Sequence, residues 1–180
     1  MRGTDKLLET IEGEALLVRT LRRAIATGLP VIVALAPDRP ERLDAIKGLA
    51  ARDLIVPDAS EGMGASLRAA AAAAPEGAPL VVILADMPEI TTEDINTLVR
   101  VFEAEGGDRV VRATAVDGRP GQPVIFPSRL RNDLRALTGD AGGRDILRQE
   151  DPRLVPLDDC RALVDLDTPE DFAVWHGGSG

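Results

Sequence analysis

The chain has no tyrosine, one tryptophan and three phenylalanines among its 180 residues. Proteins that track single-stranded nucleic acid stack the bases on several exposed rings, so that class is a poor fit. Basic charge is also short. Lys and Arg number 21 against 30 Asp and Glu, and the formal net charge of −9 would repel a phosphate backbone. The single cysteine, Cys160, cannot close an intrachain disulfide, which suits a reducing cytoplasm. The single histidine, His176, lies in the C-terminal tail and offers Cys160 no nearby base. No apolar run approaches the roughly 20 residues of a membrane span, and the N-terminus has no signal-peptide core. These absences point to a cytoplasmic protein of small ligands, with no nucleic-acid or membrane partner.

What is present reads as one α/β domain. Hydrophobic residues make up 44% and charged residues 28%, and 180 residues can enclose a real core. Leu7–Ile11 reads as a short extended arm with a turn at Glu12-Gly13-Glu14, and Ala15–Thr27 as a helix closed by Gly28. Strands follow at Pro30–Ala36, Leu54–Val56, Arg109–Ala115, Gln122–Phe126, Leu154–Leu157 and Ala162–Leu166. Helices are expected at Pro40–Ala50, Met63–Ala74, Thr92–Ala104, Leu130–Leu137, Asp145–Gln149 and Thr168–Trp175. The alternation predicts a three-layer α/β/α fold with a mostly parallel sheet over residues 1–176, and a disordered tail at 177–180.

The run Leu80–Ala85 carries no charge and reads as a buried strand that ends on Asp86-Met87-Pro88. Open α/β sheets place their ligand crevice at the carboxyl ends of strands. A carboxylate there can hold a divalent metal against a phosphate, or can simply cap the next turn. Lys6, beside Gly3, is a cation able to reach phosphates or to stay solvated. Pro57–Ser66 is a strand-to-helix loop whose glycines permit close backbone approach to an anion or a base, and its bland reading is a helix start capped by Ser60. In Val164–Asp171, Asp165 and Asp167 alternate with apolar residues and share one face of a strand. Either can complete a magnesium site opposite Asp86, or Asp167 can cap the last helix with Thr168.

LADMPEIT at 84–91, PDASEGMGASLRAA at 57–70, VRATAVDGRPGQPVIFP at 111–127, LTGDAGGRDIL at 137–147 and VDLDTPEDF at 164–172 occur here in one order. In that order they resemble the molybdenum cofactor nucleotidyltransferases, MobA-like enzymes, with the cytidylyltransferase branch the nearer likeness. The resemblance implies transfer of CMP or GMP from CTP or GTP to molybdopterin, with Mg2+. A molybdoenzyme or its delivery chaperone would receive the product. It implies catalytic roles for Lys6, Asp86 and Asp167, with metal held by Asp86 and Asp167 and Asp165 in reserve. Nucleotide contacts fall on Lys6, Asp58, Gly62, Met63 and Ser66. Acceptor contacts fall on Arg119, Gly121, Gln122, Pro123, Asp140 and Arg144. Relatives often carry His where this chain has Gln122.

Members of that family open with a central strand and a glycine-rich phosphate loop ahead of the residue equivalent to Met1. Omitting such a strand leaves its neighbours with unpaired N–H and C=O groups. The expectation is therefore that Met1 is internal to a longer protein, in preference to the chain being a degenerate member, and that the 180-residue chain is poorly stable or inactive by itself. Rival readings keep the chemistry with another phosphorylated acceptor such as a sugar phosphate, or make the chain a non-catalytic molybdenum-cofactor carrier. A dinucleotide-dependent oxidoreductase ranks behind these, because no GxGxxG follows the first strand.

Overall fold

A computed structural model describes residues 5–139, 143–166 and 171. Its opening turn is a 3-10 helix at Lys6–Leu8, capped by Asp5, whose carboxylate accepts the Leu7 N–H at 3.1 Å. The expected extended arm is thus a turn first and a strand only at β1 (Thr10–Ile11), which pairs with β2 (Glu14–Ala15). Glu12 and Gly13 take the positive φ values, 51° and 85°, that so tight a hairpin demands. α1 (Leu16–Ile25) buries Leu16, Leu17 and Leu21 and is followed by Gly28 at φ 78°. β3 (Ile32–Leu35), α2 (Pro40–Ala45), β4 (Arg52–Ile55), α3 (Met63–Ala73) and β5 (Leu80–Val82) follow. α4 (Thr92–Ala104) starts at a capping box in which Thr91 and Asp94 satisfy each other's backbone N–H. β6 (Val111–Thr114), β7 (Pro120–Phe126), α5 (Arg131–Arg135), α6 (Arg144–Gln149) and β8 (Arg153–Pro156) complete the described elements.

Helices cover both faces of the larger sheet, as the α/β reading requires. On one face α4 packs Ile95, Leu98 and Phe102 against Val111, Ala113 and Ile125. On the other, Leu67, Leu134 and Ile146 from α3, α5 and α6 pack against Val110, Val124 and Phe126. β3 pairs with β4 and β6 with β8 in parallel, whereas β7 runs antiparallel to both β5 and β6. Two differences follow from pairing. The apolar run into Asp86 is ladder only through Val82 and is half-buried, because one edge of β5 has no strand partner among the described residues. The strand expected at Ala162–Leu166 is instead a 3-10 turn, Arg161–Leu163, followed by extended chain.

The sheet is in two pieces. β3–β4 forms one, β5–β7–β6–β8 the other, and among the described residues no ladder joins β3 to β5. Side chains cross the divide instead. The Thr20 hydroxyl donates to the Ala85 carbonyl at 3.1 Å, and Arg23 on α1 donates to the carbonyls of Pro88 and Ile90. The last predicted helix and the 177–180 tail lie outside the described residues, Asp171 excepted.

Candidate active site

The carboxyl ends of β3, β4 and β5 face one edge, and the side chains that carry chemistry gather there. Asp86 follows the β5 segment, and the Lys6 ammonium donates to its Oδ2 at 2.8 Å across 80 residues of sequence. Asp86 Oδ1 is buried with no hydrogen-bond partner among the described residues. An orphaned carboxylate oxygen in a dry pocket is costly unless a cation meets it, so this donor suits a divalent metal. The Leu166 N–H donates to the Asp86 carbonyl at 3.0 Å, which brings the Val164–Leu166 segment alongside. Asp165 is exposed in that segment and already has an interaction partner. Asp167 and Asp140 lie outside the described residues. No cluster of three or more potential metal ligands occurs among the described residues.

The Pro57–Ser66 loop is held by Arg68. Its guanidinium bonds Asp58 and, at 2.9 Å, Glu61, and also donates to the Leu137 carbonyl at 2.6 Å. That hydrogen bond holds the Asp58 carboxyl below the ordinary aspartate range. Gly62 has φ 110°, a conformation that L side chains rarely adopt, and it admits the chain into α3. Gly64 serves packing rather than ligand access: a Cβ there would lie 2.4 Å from the Gly139 carbonyl oxygen. Met63 is exposed at the loop's end, and Ser66 is half-buried one turn along.

A cavity of about 430 Å³ opens beside this loop, lined by Pro37, Arg39, Arg42, Pro57, Ala59 and Ser60. The sequence reading gave no role to Pro37–Arg42. Arg42 is anchored there by a two-pronged bond to Asp5, at 2.6 and 2.9 Å.

Across the site, Gly121, the second residue of β7, lies under the Ala162 carbonyl oxygen, which a Cβ would approach to 1.9 Å. Gln122 Oε1 is buried without a partner among the described residues, and Pro123 is buried. Arg119 lies in the exposed turn before β7, paired with Asp117 at 2.7 Å and apart from the Lys6–Asp86 pair in its contacts. Arg144 opens α6.

Residues 1–154 match the MobA-like NTP transferase domain. The chain belongs to that family. Among curated proteins, nicotine blue oxidoreductase of Paenarthrobacter nicotinovorans is 34% identical over 110 residues, 57% of this chain and 52% of the relative. The chain thus spans about half the length of the curated relative it matches. Rv0371c of Mycobacterium tuberculosis superposes with a TM-score of 0.83 at 24% identity, over 98% of this chain and 91% of its own. The same protein has been solved in complex with manganese. CMP:2-keto-3-deoxy-manno-octonic acid synthetase, solved with CTP, superposes with a TM-score of 0.75 at 11% identity, over 96% and 90% of the two chains. At these identities the solved structures establish the nucleotidyltransferase-type fold, and family membership makes the chain a nucleotidyltransferase domain. No helix among the described residues is long and apolar enough to cross a membrane.

Proposed function

We propose that the chain moves CMP or GMP from CTP or GTP to the phosphate of molybdopterin, with release of pyrophosphate. The carrying observation is Asp86, whose Oδ2 is gripped by Lys6 while Oδ1 stays buried and unpartnered. A magnesium ion bound at Oδ1, with Asp167 or Asp165 as the second carboxylate, would offset charge on the reacting phosphates.

The cavity between Pro37 and Ser60 receives the base and ribose, and the Gly62–Ser66 turn approaches the phosphates. Lys6 steadies the pyrophosphate as it departs. A terminal phosphate oxygen of the acceptor forms the new bond to the α-phosphorus. The bond from that phosphorus to the bridging oxygen breaks, and the electron pair leaves with pyrophosphate. No general base is needed, since the attacking phosphate is already ionised near neutral pH. A further strand seated between β3 and β5, whose facing edges have no ladder partner among the described residues, would complete the sheet.

The test is pyrophosphate release from CTP and GTP, with magnesium and molybdopterin, by this chain and by one extended upstream in its gene. Release by the extended chain supports the assignment and the added strand; silence from both, when folded, refutes the transferase reading. A second reading rests on the relative named an oxidoreductase. Oxidation of a nicotinamide cofactor by the folded chain, without pyrophosphate release, favours it.

A further inference from the structure

Residues 5–7 send three consecutive side chains to three different places. Leu7 packs against Ile11, Leu16 and Leu166 in one small core and against Leu17, Leu21, Leu35 and Ile46 in another. Lys6 reaches Asp86 at 2.8 Å. Asp5 reaches Arg42 on α2, and the two side chains are only 10% and 22% exposed. Asp5 Oδ2 accepts Arg42 Nε at 2.6 Å, and Oδ1 accepts both Arg42 Nη2 at 2.9 Å and the Leu7 N–H at 3.1 Å. One carboxylate therefore caps the turn that carries Lys6 and also fastens that turn to α2. A forked, largely covered pair of this kind has a fixed geometry, unlike a single-pronged surface bridge.

The fastening matters because of what the turn holds. A lysine ammonium rides on a flexible four-carbon stem, so its resting place depends on the backbone beneath it. Here that backbone is one 3-10 turn, Lys6–Leu8, closed by the Leu8 N–H on the Asp5 carbonyl (2.9 Å) and the Glu9 N–H on the Lys6 carbonyl (3.3 Å). So short a turn holds its shape weakly unaided. α2 lies between β3 and β4, whereas Asp86 follows β5, so the turn also stands across the divide in the sheet. Arg42 is meanwhile a wall of the cavity between Pro37 and Ser60. The side chains Arg42, Asp5 and Lys6 thus form one link from that cavity to Asp86.

We propose that Arg42 is a positioning residue: acting through Asp5, it fixes the turn so that the Lys6 ammonium is aimed at Asp86. What Lys6 then does rests on the nucleotidyltransferase reading; how it is aimed does not. On that reading, the fork sets the spacing between the seat of the base and the ammonium that steadies pyrophosphate. Arg42 touches no reacting atom and works only through the residue it holds.

The sequence holds two lysines, Lys6 and Lys47, and the exposed Lys47 serves as an internal reference. The test is trace acetylation of the full chain with an N-hydroxysuccinimide ester, the two sites followed by mass spectrometry. An amine gripped by a carboxylate stays protonated and covered, so Lys6 should react more slowly than Lys47 in the parent. Arg42→Gln and Asp5→Asn should each speed Lys6 about fivefold and leave Lys47 unchanged. Asparagine still caps the turn, so Asp5→Asn probes the fork rather than the cap. In an Asp86→Asn background the same replacements should change the Lys6 rate by less than about twofold, because the contact they aim is already gone. A purely structural Arg42 would instead give the full effect in both backgrounds, and that result would overturn the proposal. Equal rates at the two lysines in the parent, or an unchanged Lys6 rate in the variants, would do the same. If Arg42→Gln does not fold, Asp5→Asn carries the cycle. None of these readouts needs turnover, so a silent pyrophosphate assay bears on the transferase reading alone.

Discussion

Replacing Arg131 by methionine tests how the α3 helix is anchored. This side chain is 5% exposed and has no carboxylate partner among the described residues. Its Nη1 donates to the carbonyls of Ala71 (2.7 Å) and Ala74 (3.0 Å), and its Nη2 to those of Pro75 (3.0 Å) and Ala78 (2.5 Å). One guanidinium thus closes the C-terminal end of α3, where the helix dipole is negative. Methionine keeps much of the apolar stem but none of the donors. The carbonyls of Pro75 and Ala78 sit near solvent and can rehydrate, whereas Ala71 and Ala74 are buried. Two acceptors left dry at about 1–3 kcal/mol each, with some relief from no longer burying a charge, give a loss of about 2–5 kcal/mol. That is a large share of the ~5–15 kcal/mol typical of a domain. Urea denaturation followed by circular dichroism measures it. Hydrogen exchange should locate the damage at residues 71–78. A loss under about 1 kcal/mol would refute the reasoning, because the four carbonyls would then be satisfied some other way.

Asp86→Asn should lower pyrophosphate release by about 10²–10³-fold with the circular dichroism spectrum unchanged, and retention of full turnover would contradict the site. Burial raises the Asp5 pKa, but the Arg42 bond, the Leu7 N–H and the charges of Arg42 and Arg39 outweigh it, so the folded value lies below the ordinary 3.8. Its contribution is therefore complete above the unfolded value and lost as pH falls through the folded one. Asp5→Asn should flatten the acid limb of a stability–pH profile below about pH 4, and a profile parallel to the parent's would contradict this. Gly121→Ala forces a Cβ onto a backbone oxygen and should cost about 1–3 kcal/mol by thermal melt; no change would mean that the Arg161–Leu163 turn yields freely.

Local chemistry was readable along the chain; long-range pairing was not. Thr91 and Asp94 advertise a capping box, and Gly28 a helix end, because both signals act within one turn. Asp86 stood out by ending an apolar run, whereas its bond to Lys6 spans 80 residues and nothing in the sequence announced it; the family likeness gave both residues roles without pairing them. Arg112 and Arg131 gave no signal. An arginine in an alternating strand reads as a solvated face, and one at a helix start as surface, until the tertiary fold closes over them. The expected strand at Ala162–Leu166 failed because a mostly apolar run says nothing about whether a neighbour exists to pair with it.

The divided sheet has a consequence for how the molecule comes apart. Leu17, Leu21, Leu35 and Ile46 make one core around β3–β4, separate from the two cores that sandwich the larger sheet. No backbone ladder binds these regions among the described residues; the links are side-chain bonds such as Lys6–Asp86, Thr20–Ala85 and Arg23–Ile90. Such a chain has two foldons with a weak coupling free energy between them, and the β3–β4 unit can open while the other stays closed. Its unfolding then departs from a single all-or-none transition, with Asp86 on one unit and the cavity beside Pro57–Ser60 on the other.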